Sequence, residues 1–101
     1  MEKNKLINIG GKEYKFELDR KHIILAEENF GVSLVKIEEQ IISQSMKIWA
    51  AGLQKHHNKL SLDERYDLYE AYRDEGEDVM EVITFLIEQI SNFLQPTQKK
   101  K

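Results

Sequence analysis

The chain has 101 residues, 41% hydrophobic and 33% charged, with a formal net charge of −3 and no cysteine. That length suits one domain. The mildly acidic balance speaks against nucleic acid as a partner, because a nucleic-acid binder concentrates Lys and Arg on one face; the absence of cysteine excludes disulfides, thiolate catalysis and thiolate metal sites, and fits a reducing compartment.

No stretch approaches the ~18–20 apolar residues of a membrane span. The opening MEKNKLINIGG has no apolar run long enough for a secretory signal. A cytosolic protein with no membrane partner is expected.

Lys5 to Ile9 and Lys12 to Leu18 both alternate, joined by Gly10-Gly11. Two short β-favouring runs around a two-residue glycine turn predict a hairpin. Leu6, Tyr14, Phe16 and Leu18 are the expected inward positions, although Ile7 and Ile9 have the opposite parity to Leu6 and leave the register open. Asp19 is placed to cap a helix over Arg20 to Phe30, with Ile23, Ala26, Glu27 and Phe30 on one side. Gly31 suits the left-handed residue after a helix end, and Ser33 is the expected cap of the next helix.

That next helix, Ser33 to His57, carries two apolar stripes and is placed at the centre of the domain. Leu34, Ile37, Ile41 and Ile48 form one stripe; Val35, Ile42, Met46, Trp49 and Leu53 form the other, with Glu38, Ser45 and Gly52 along the seam. Either the chain's own elements bury both stripes or part of the second meets another protein. Ser61-Leu62-Asp63-Glu64 is a capping box that starts a helix to Glu75, with Leu62, Tyr66, Tyr69 and Tyr72 on one side as a packing face. Asp78 to Leu94 predicts the last helix, its apolar face running from Val79 to Leu94. Phe85 is stranded on its polar side, either covered by the hairpin or part of an interface. The architecture expected is mainly α: an N-terminal β-hairpin followed by a compact bundle of about four helices, one domain over 1–95, with 96–101 a disordered basic tail.

Nothing in the chain forms a catalytic pattern. No serine sits in a glycine elbow, and His22, His56 and His57 stand in no acid/base arrangement. Adjacent histidines cannot share a helix face, and the acidic residues Asp74, Glu75, Glu77 and Asp78 lack the alternating ligand spacing of a calcium loop. Gly10-Gly11 joins strands and does not open a helix as a phosphate loop would. No catalytic residue, metal or cofactor is expected. A helical interaction protein remains, fitted to receive another helix in a groove.

Three segments bear a family likeness in their order and spacing: INIGGKEYKFELD, then ENFGVSL, then IWAAGLQKHHNKLSLDE, followed by a closing helix. Gly31-Val32-Ser33 ends the first helix; Trp49-Ala50-Ala51-Gly52-Leu53 closes the long one; Leu60-Ser61-Leu62-Asp63-Glu64 starts the next. Over about residues 5–94 the chain resembles the tail assembly chaperones of long-tailed bacteriophages and related prophages. The resemblance implies a non-enzymatic factor in the host cytoplasm, absent from the mature virion. It would coat the aggregation-prone tape measure protein while tail tube subunits polymerise around it. Ile42, Trp49, Leu53 and Phe85 are then the contact candidates, with core packing the competing role for Trp49 and Leu53. Many such chaperones are also made in an extended form by ribosomal frameshifting, and a run of adenines could encode Lys99-Lys100-Lys101. An ordinary solubilising basic tail is the other reading of those lysines. A small regulatory adaptor that grips one folded protein is the rival function, and exposed stripes are compatible with self-association.

Overall fold

A computed structural model describes residues 3–95. Strands β1 (Lys5–Ile9) and β2 (Lys12–Phe16) form an antiparallel hairpin. Helices α1 (Arg20–Asn29), α2 (Ile41–Gly52), α3 (Leu62–Asp74) and α4 (Val79–Leu94) follow, with a single 3₁₀ turn at Leu34–Lys36 between the first two. The hairpin and four-helix architecture is as expected. The basic tail, 96–101, and with it the frameshift reading, lies outside the described residues.

Gly10 and Gly11 both take positive φ (60° and 83°), the geometry of a two-residue turn whose twist matches the strands. This turn pairs Ile9 with Lys12 and hence Ile7 with Tyr14. Cross-strand partners share a face, so Ile7, Ile9, Tyr14 and Phe16 point into the core. Leu6 is therefore not an inward position: it stands half exposed on the outer face.

The central helix is shorter than its periodicity suggests. It begins at Ile41, eight residues after Ser33, because Gln40 adopts φ −132°, ψ 54° and breaks the helical run. Ser33 makes no side-chain cap; its N–H is taken by Gln44 Oε1 at 2.7 Å, while Gln44 Nε2 donates to the Gly31 carbonyl at 3.2 Å. One buried amide thus anchors this connector through its main chain. The break at Gln40 also resets the stripes. Leu34 and Ile37 pack partly against the core, whereas Val35 and Ile42 are 90% and 79% exposed.

The C-terminal end of α2 is governed by foreign donors. Glu17 N–H donates to the Gly52 carbonyl (3.0 Å), and Arg65 Nη1 donates to the Ala50 carbonyl (3.0 Å). Arg65 also reaches the Leu60 carbonyl through Nε at 3.1 Å. A cation at a helix C-terminus meets the negative end of the dipole, which lets an almost fully buried arginine sit without a carboxylate. The inner face of α3 is consequently Arg65, Leu68, Tyr69 and Tyr72, while Leu62, expected there, is half exposed.

Trp49 is the hub. Its ring lies 4.6 Å from Phe16, 5.3 Å from Tyr69 and 6.0 Å from Tyr72, centroid to centroid, and its Nε1 donates to the Arg65 carbonyl at 2.9 Å. On α4, Val82, Ile83 and Leu86 close the core from the other side.

Candidate functional site

The four residues singled out from sequence do not meet. Trp49 and Leu53 have no exposed surface; the core consumes them, which removes both as contacts for a partner. Ile42 is exposed at the start of α2, and Phe85 is half-buried on α4, packed against the core.

Apolar surface gathers elsewhere. A groove of about 330 Å³ lies between α1, the connector after Gly31 and the last turn of α4. Val32 and Ile90, both nearly buried, line its depth; Ile24, Val35, Phe93 and Leu94 line it with 46%, 90%, 50% and 68% of their surfaces exposed. Local chain geometry builds it. Gly31 turns with φ +75°, Val32 N–H returns to the Ala26 carbonyl at 3.0 Å, and Gln44 fixes the connector from below. Val32 is thereby driven inward while Val35 stands out. Glu27 is the one ionisable side chain along this lining. With the Ser33 N–H already bonded to Gln44, the groove offers apolar contact and one carboxylate. That chemistry holds apolar side chains.

Sequence reading missed this site because its parts look like three unrelated leftovers: one side of a short helix, a loop and a frayed end. Exposed Val35, Phe93 and Leu94 all belong to stripes that periodicity assigns to the core.

A second hollow, about 410 Å³, opens beside the hairpin and is lined by Lys5, Asp78, Met80, Glu81, Thr84, Phe85 and Glu88. Lys5 Nζ stands 3.4 Å from Glu81 Oε1 across it. Phe85 is half-buried against the core and lines this hollow.

The ionisable residues cluster at the exit of α2. Glu17, 7% exposed, accepts from Lys55 Nζ at 2.9 Å and lies 2.8 Å from His56 Nε2. Lys55 also reaches Asp19 Oδ2 at 3.0 Å, and Asp19 Oδ1 lies 2.6 Å from His22 Nδ1. Burial pushes the Glu17 carboxyl up, but the His56 and Lys55 contacts outweigh it and hold it below its ordinary value. Asp19 is likewise held well below the usual carboxylate range, its burial overcome by hydrogen bonds from His22 and Lys55. His57 differs: Lys15 N–H donates to its Nε2 at 2.9 Å, so that nitrogen carries no proton. Burial, then the neighbouring basic groups of His56, Lys12, Arg65 and Lys15, lower its pKa. These contacts pin the strand to the loop after α2, and every carboxylate in them is engaged. Among the described residues no group of three or more His, Asp or Glu side chains is arranged to hold a metal ion, and no helix is long and apolar enough to cross a membrane. Compared with family models, curated proteins and solved structures, the chain finds no match.

Proposed function

We propose that this protein is a non-enzymatic tail assembly chaperone of a long-tailed bacteriophage or prophage. In this reading it works in the host cytoplasm, binding the tape measure protein and shielding it until tail tube subunits enclose it. The observation that carries the reading is the apolar groove, whose lining residues Val35 and Leu94 lie largely in solvent. A tape measure helix exposes an apolar stripe before enclosure, and an amphipathic helix laid in a groove is read through side chains one turn apart. A shallow, partly open groove suits reversible shielding: it covers the stripe without refolding the helix. The motif order from Gly31-Val32-Ser33 through Leu60-Ser61-Leu62-Asp63-Glu64 supports the same assignment.

The test is to co-express the chain with a helical fragment of a long-tailed bacteriophage tape measure protein and weigh the soluble fraction. The wild-type chain is expected to keep the fragment in solution. A double variant, Val35→Ser with Leu94→Ser, is expected to fold normally and lose that capacity. Precipitation of the fragment alongside a folded wild-type chain would reject the reading, as would retention of one globular partner with no affinity for helical fragments.

A further inference from the structure

The two edges of the hairpin are treated differently. On β2, Lys15 N–H points away from β1 to His57 Nε2 and Glu17 N–H to the Gly52 carbonyl. The loop after α2 therefore covers that edge. Lys15 is paired with Leu6, and Glu13 with Asn8. In an antiparallel ladder inward- and outward-bonding pairs alternate, so the main-chain groups of Leu6 and Asn8 also point away from the sheet. Among the described residues neither has a main-chain hydrogen-bond partner, and both are exposed. β1 has no proline, and its register with β2 is unbroken by a bulge. A row of unpaired main-chain groups on a sheet edge is a template for another strand.

We infer that a second copy of this chain occupies this edge, β1 against β1, in a two-fold symmetric dimer with a continuous four-stranded sheet. Two features select a copy over a foreign strand. The first is parity. A two-fold axis through Ile7 places Leu6 opposite Asn8 of the second copy, and an isologous contact demands such self-pairing. Each outward N–H then meets an outward carbonyl, and the half-exposed Leu6 side chains approach one another diagonally on the outer face. The second is charge. β1 starts with the exposed Lys3 and ends beside acid, since Glu75 Oε2 holds the Gly10 N–H at 2.7 Å. Antiparallel approach sets the basic start of each copy against the acidic end of the other. Parallel approach would stack like on like.

The test uses the full chain in sedimentation equilibrium from micromolar to millimolar concentration, with amide hydrogen exchange read by NMR. A concentration-dependent dimer is expected, and the Leu6 and Asn8 amides should slow as it fills. Leu6→Pro removes an N–H that serves no bond within the hairpin, and should weaken association by at least about tenfold. Should that variant fail to fold, Leu6→Glu changes only the outer face, sets like charges across the axis and should weaken association in the same direction. A monomer throughout the range would overturn the proposal. So would a dimer in which Leu6 and Asn8 exchange as fast as in the monomer, including one abolished by Val35→Ser with Leu94→Ser.

Discussion

Gly52 sits where α2, α4 and the end of β2 converge. A Cβ built there would lie 2.6 Å from Leu86 Cδ1 and 3.1 Å from Phe16 Cδ2. Leu86 and Phe16 have no exposed surface into which they could swing. Gly52→Ala should therefore cost about 1–3 kcal/mol through overpacking, even against a helix-propensity gain of up to about 1 kcal/mol. Urea unfolding would show it as a lower midpoint at unchanged slope. His57 makes a second residue-scale prediction. Its pKa is lowered on folding, so the unfolded chain takes up this proton near pH 6.5 and the folded chain only below it. The stability from this site is full above pH 6.5 and is lost as pH falls through that value toward the folded pKa. Unfolding free energy should accordingly drop between pH 7 and about 5, and His57→Gln should flatten the decline; parallel curves would reject the assignment. Glu17 and Asp19, whose pKa values are depressed, act lower. Their stabilisation is present above about pH 4.5 and 3.8 and is lost in more acid solution.

At the scale of elements, two serines that look alike in sequence do different things. Ser61 forms the complete capping box, with its Oγ accepting from Glu64 N–H at 3.1 Å and Glu64 Oε1 accepting from Ser61 N–H at 2.7 Å. Ser33 contributes only its backbone. Ser61→Ala should cost about 1 kcal/mol, and Ser33→Ala close to nothing. Gln44→Ala should cost about 1–3 kcal/mol, because it strands the Ser33 N–H and the Gly31 carbonyl. Thermal melts should show the largest loss for Gln44→Ala, a smaller one for Ser61→Ala and the least for Ser33→Ala. The Ser61 box was legible because all its partners lie within one turn. Gln44 was not, since its partners lie eleven and thirteen residues back along the chain and nothing in a glutamine announces them. Arg65 and Gln89 belong with it. Gln89 joins α4 to the Leu18 N–H at 2.7 Å and the Lys3 carbonyl at 2.8 Å, contacts that no local pattern encodes.

For the whole molecule, one core organised on Trp49 unites β2, α2 and α3, with α4 packed behind it. Trp49→Ala should remove about 3–5 kcal/mol, a large share of a small domain's stability. Ile42→Ser, on an exposed side chain, should stay within about 0.5 kcal/mol of wild type. Chemical denaturation of both would show directly that the paired stripe positions have parted company.

By itself the sequence determined the elements whose signals are local: the glycine turn and its flanking strands, the Asp19 and Ser61 caps, and the long apolar face of α4. Each rests on neighbours within about four residues, which is the reach of backbone hydrogen bonding and side-chain periodicity. Only the tertiary structure decided which apolar residues meet water. Trp49 and Val35 lie on one sequence stripe, yet the helical run breaks between them at Gln40, and the first is buried while the second is exposed. The groove exists for the same reason. Helix α1 with the connector that follows it, and the end of α4 more than fifty residues on, leave their apolar sides unfilled at one place, and periodicity, which runs along the chain, cannot see across it.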